Sequence, residues 1–85
     1  MISLMRLTGE QLTLNAISTL KSDGKYEEAK HLETVYLSGV PYISLGCDDV
    51  DWEISRYLEK LCEGCVITNH VGYAGRFWFN DVYYV

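Results

Sequence analysis

The chain is 85 residues long and 48% hydrophobic, with seven basic and twelve acidic residues and a formal net charge of −5. That length holds one small domain, residues 1–85, with a modest core, and the apolar content argues against disorder. The acidic balance repels phosphate backbones, so nucleic acid and anionic membranes are unfavoured partners, whereas a protein with a basic surface is suited.

The opening "MISLMRLTGEQL" reaches polar Thr8, Gly9 and Glu10 before an apolar signal core forms, and no apolar run approaches the roughly 18 residues of a membrane span. Three cysteines are an odd number and argue against a disulfide framework. The expectation is a cytoplasmic protein with reduced thiols. Thr8 is placed to cap a first helix, with Gln11 completing a capping box and Leu7 and Leu12 at the staple positions. Leu12, Ala16 and Leu20, widened by Leu14 and Ile17, form its buried stripe. Gly24 in "SDG" ends it.

A second helix is predicted over Lys25–Ser38, with Tyr26, Ala29, Leu32, Val35 and Tyr36 on one side, ended by Gly39 and Pro41. So short a link predicts an antiparallel helical hairpin. "PYISL" alternates as a short strand. A third helix follows over about Val50–Glu63, with Ile54, Tyr57, Leu58 and Leu61 inward. After Gly64 the pattern turns to strands in "CVITNHV" and "RFWFNDVYYV", joined by the turn-prone "GYAG", with Asn80-Asp81 as a further turn or bulge. The expected fold is α+β: a helical hairpin, a third helix and a C-terminal antiparallel β-hairpin.

Gly24, Tyr26, Ala29 and Pro41 resemble positions of the second half of a tetratricopeptide unit, although Ile17 and Glu33 stand where that family has a glycine and a large aromatic. A single unit implies a helical hairpin, not a solenoid. The stretch from Ile54 to Phe79 resembles the recognition helix and wing of winged-helix domains, whose order of elements is also matched. That resemblance implies Arg56 and Lys60 in a DNA groove and Arg76 in the wing. Asp51, Glu53, Glu59 and Glu63 depart from the basic character of a DNA-reading helix.

Four candidate sites emerge. Cys62, Cys65 and His70 in "CEGCVITNHVGYAG" resemble the first three ligands of a zinc knuckle, with Gly75 at the fourth and Cys47 as a substitute. The readings are core packing, zinc or a redox pair. Packing, without metal or cofactor, is adopted, because free cysteine is among the most buried residue types and one C-x2-C with a loose His is a weak zinc signal. Redox is least favoured, because a helix C-terminus disfavours thiolate. The run "DDVDWE" places Asp48, Asp49, Asp51 and Glu53 at a helix start, where carboxylates complement the dipole. With Glu59 and Glu63 they also form a negative stripe for Arg and Lys of a partner. At the C-terminus Tyr73, Phe77, Trp78, Phe79, Tyr83 and Tyr84 form an aromatic contact surface, unless the sheet or an oligomer covers it. A homodimer is left open. For catalysis, His31 and His70 sit beside no recognised nucleophile or carboxylate motif, and no phosphate loop or H-E-x-x-H occurs.

These observations converge on a non-enzymatic protein-binding domain, a small acidic regulator, adaptor or inhibitor. In composition the chain is similar to small accessory proteins of phages and other mobile elements, some of which block nucleic-acid-binding machinery. The alternative is a winged-helix DNA-binding regulator.

Overall fold

The computed structural model describes residues 6–46, 48–62, 65–66 and 75–84. Its elements are β1 (Arg6–Thr8), α1 (Gly9–Ser22), α2 (Tyr26–Leu37), β2 (Tyr42–Leu45), α3 (Asp49–Leu61), β3 (Gly75–Trp78) and β4 (Val82–Tyr84), an α+β arrangement. No helix among the described residues is long and apolar enough to cross a membrane.

Helix α1 begins by the reciprocal bonds its sequence advertises. The Thr8 hydroxyl accepts from the Gln11 amide at 3.1 Å, and the Gln11 side chain accepts from the Thr8 amide at 3.0 Å. It ends in a Schellman turn: the Lys25 amide donates to Leu20 at 2.8 Å and the Gly24 amide to Lys21 at 3.1 Å. Gly24 takes φ +79°, a conformation that costs a side chain bearing a Cβ about 1–2 kcal/mol. The three residues between Ser22 and Tyr26 then fold α2 back onto α1.

The buried arc of α1 is Leu12, Thr13, Ala16, Ile17 and Leu20. Thr13 is tolerated there because its hydroxyl donates to the Gly9 carbonyl at 2.7 Å. Leu14, expected in the stripe, is exposed, since a step of two residues carries it far around the helix from Leu12. Tyr26 is likewise exposed rather than inward: it opens the first turn of α2, whose buried face begins at Ala29 and Leu32. Helix α3 buries Ile54, Tyr57 and Leu58 as its periodicity requires, with Leu61 partly covered. Ile43 and Leu45 of β2 and Phe77 and Phe79 complete one cluster with these side chains.

Among the described residues the strands form two antiparallel pairs. Strand β3 runs antiparallel to β2, with Tyr42 opposite Trp78 and Leu45 opposite Gly75. Strand β4 runs antiparallel to β1, with Arg6 opposite Tyr84 and Thr8 opposite Val82. Cys65 and Val66, expected to open a strand, are in bends, and the remainder of that expected strand lies outside the described residues. Burial favours the β2–β3 pairing: both strands alternate buried and exposed side chains, so pairing them makes one apolar face. Two bonds hold the turn between β3 and β4: Phe79 amide to Pro41 carbonyl, 3.0 Å, and Gly9 amide to Asp81 carbonyl, 2.7 Å.

Candidate functional site

The acidic run falls at the start of α3. Asp48 is the N-cap, its carboxylate accepting from the Asp51 amide at 2.8 Å. One Asp51 oxygen accepts from the Gly46 amide at 2.8 Å, and the other lies 3.5 Å from His31 Nε2 on α2. Glu53 pairs with Arg56 at 3.1 Å and with Lys25 at 3.6 Å. Asp51 and Glu53 are thus largely consumed in joining α3 to its surroundings. Asp48 and Asp49 are exposed, and with Glu27 and His31 of α2, Val50 and Asp51 they line an open cleft of about 320 Å³.

Trp52, on α3 but not among the residues that line the cleft, is 57% exposed. Sequence reasoning assigned it no role, although its place on the helix was legible: it lies three residues after Asp49 and opposite the Ile54, Tyr57 and Leu58 face. Carboxylates next to an exposed indole offer a guanidinium or ammonium both an ion pair and a ring face.

The expected aromatic surface divides. Phe77 and Phe79 are core side chains, meeting edge to face at 6.0 Å. Tyr83 stacks on Phe77 at 5.3 Å, partly buried, and its hydroxyl donates to the Trp78 carbonyl at 3.1 Å. Burial pushes that phenol up to about 12. Tyr84 pairs opposite Arg6 in β4, and Tyr73 lies outside the described residues. Trp78 turns outward, where it packs on Tyr42 at 4.6 Å. The period-two alternation of a strand sends Phe77 and Trp78 to opposite faces.

Cys62 and Cys65 belong to the core cluster. Cys62 caps the C-terminus of α3 in an extended conformation, and both Cys62 and Cys65 are buried. The Cys65 thiol donates to the Leu58 carbonyl at 3.5 Å, and burial, then Cys62, then Glu59 push it from 9.0 up to about 12. Cys47 and His70 lie outside the described residues.

A pH dependence follows with a definite sign. Cys65 and Tyr83 stay protonated in the fold at pH values where an unfolded chain ionises them near ~8.5 and ~10. Their stabilising contribution is therefore complete below about pH 8.5 and is lost as pH climbs towards 12. Urea midpoints at stepped pH are expected to fall across that window and to fall less in Cys65→Ala relative to its own neutral value. A midpoint flat to pH 11 would contradict the burial assigned to both groups.

The residues carried over from the winged-helix resemblance are engaged within the chain. Arg56 binds Glu53, Lys60 lies 4.5 Å over the Tyr57 ring, and Arg76 lies 4.9 Å over the Tyr42 ring. Tyr57 in turn donates to Asp23, tying α3 to the α1–α2 turn, a bond that raises the Tyr57 pKa. Comparison with known proteins finds no matching family model, no matching curated protein and no matching solved structure.

Proposed function

We propose that the protein is a non-enzymatic binding domain, a small acidic regulator, adaptor or inhibitor whose partner is a protein with a basic surface. The observation that carries this reading is the α2–α3 cleft, where Glu27, Asp48, Asp49 and Asp51 gather around an opening, with exposed Trp52 one helical turn from Asp49. A Lys or Arg of the partner enters the cleft and meets the indole at its edge. Such a group is recognised by charge and by a ring face together, the combination found at binding hot spots. An inhibitor of this kind occupies the basic surface with which its partner holds nucleic acid, and net charge −5 speeds the encounter.

Glu27→Lys with Asp49→Lys cancels the negative charge of the cleft while leaving the Asp48 cap and the Asp51 bonds in place. This double variant is expected to weaken partner binding by about 2–5 kcal/mol, and Trp52→Ala by about 2 kcal/mol, with circular dichroism unchanged. Isothermal titration against the captured partner measures both. Affinities equal to wild type in both folded variants would remove the cleft from the contact surface.

A further inference from the structure

The α2–α3 cleft contains, among its carboxylates, one imidazole. His31 lies on α2 about one turn after Glu27, so the two share a face of the helix. Both line the cleft, with Asp48, Asp49 and Asp51 facing them from the start of α3. His31 Nε2 stands 3.5 Å from one Asp51 oxygen, and the other Asp51 oxygen accepts from the Gly46 amide. The imidazole is 43% exposed and the Asp51 side chain 14%, so protons reach the ring from solvent while the carboxylate stays where Gly46 holds it.

Two charge states of the cleft follow. Histidine is the side chain whose charge ordinarily changes between about pH 5 and 8. With a neutral ring the opening presents the carboxylates of Glu27, Asp48, Asp49 and Asp51, with Glu28 three residues before His31 on α2. Among the described residues no Lys or Arg lines it, and Lys25, close to Glu27 in sequence, is paired with Glu53. With a protonated ring, Asp51 gains a full ion pair and the cleft a cation of its own. That cation takes, in charge, the place a partner's Lys or Arg would take. Partner and proton therefore compete for the same carboxylates, and each weakens the hold of the other.

We infer, on the reading of this cleft as the seat of a partner's Lys or Arg, that His31 is a proton-operated brake on it: the neutral ring leaves the seat open, and the protonated ring closes it. The sign is definite. Binding is strongest above the histidine range and weakens as pH falls through it, where carboxylates, which titrate near ~4, still carry their charge. One added charge about 5 Å from the entering cation, in a surface cleft open to water, changes affinity by about five- to tenfold.

The test uses N-acetyl tetra-arginine amide as the probe, whose charge is constant across this window. It is titrated into the full chain at fixed ionic strength, with binding read from the backbone amide NMR signals of residues 27–31 and 48–52. The dissociation constant is expected to rise about five- to tenfold between about pH 8 and pH 5.5 in wild type, and far less in His31→Gln, whose amide cannot take a charge. His70, the other histidine of the chain, is retained in that variant and cancels from the comparison. A wild-type affinity that is flat with pH, or that changes equally in His31→Gln, overturns the brake; if Glu27→Lys with Asp49→Lys still abolishes binding at pH 8, the cleft survives as the contact site. A probe held equally by wild type and by that double variant at pH 8 overturns the contact site, and the brake with it.

Discussion

Phe77→Ala is expected to destabilise the protein by about 3–5 kcal/mol, a large share of the roughly 5–15 kcal/mol that holds a domain folded. Phe77 is fully buried, meets Phe79 edge to face and Tyr83 ring to ring, and lies opposite Ile43 in the ladder. Its loss opens a cavity between both sheets and the helices. The adjacent substitution supplies the control. Trp78→Ala removes a partly exposed ring packed on Tyr42 and is expected to cost about 0.5–1.5 kcal/mol. Urea unfolding of the two variants should place Phe77→Ala far below Trp78→Ala. Equal costs would mean that β3 does not present the faces described.

The second large effect is expected at Gly9, from the opposite cause. A Cβ there would meet the Trp78 carbonyl oxygen and stand 2.7 Å from the Phe79 carbonyl oxygen, both backbone atoms. The Gly9 amide also donates to Asp81, so the first residue of α1 is held against the β3–β4 turn. Backbone cannot swing aside as a flexible side chain does, and the turn is itself tied to Pro41. Gly9→Ala is expected to lower stability by about 3 kcal/mol, although alanine is the better helix former at an ordinary site. A neutral or stabilising Gly9→Ala, read from the same unfolding curves, would show that the turn does not press on α1.

These two residues also mark how much the sequence reveals. The ends of α1 were legible because Thr8 with Gln11 and Gly24 act through bonds within a few residues. The two faces of β3 were legible because alternation is local. The partners of β3 and β4 were not: Phe77 meets Ile43 and Tyr83 meets Leu7 across long stretches of chain, and no turn signal announces either pairing. The run at 65–71, expected to pair with β3, lies mostly outside the described residues. The close approach at Gly9 was hidden for the same reason, since its constraint comes from residues near the C-terminus.

The candidate site was legible in its charges and less so in its rings. Asp48 and Asp49 sit at a helix start as their positions imply, and Asp51 and Glu53 proved to be occupied by Gly46, His31, Lys25 and Arg56 only once α2 was laid beside α3. Counting aromatics at the C-terminus overstated the surface there, because Phe77 and Phe79 complete the core. Among the residues whose burial is described, the exposed rings are Trp52, Tyr26 and Trp78.

The most direct measurement is affinity capture on the immobilised chain from one lysate divided in two, half of it treated with nuclease. A protein is expected to be retained in stoichiometric amount from both halves and to be lost when the bait carries Glu27→Lys and Asp49→Lys. Retention of nucleic acid alone from the untreated half, released by salt, with no protein from the treated half, would contradict it and favour a DNA-binding role.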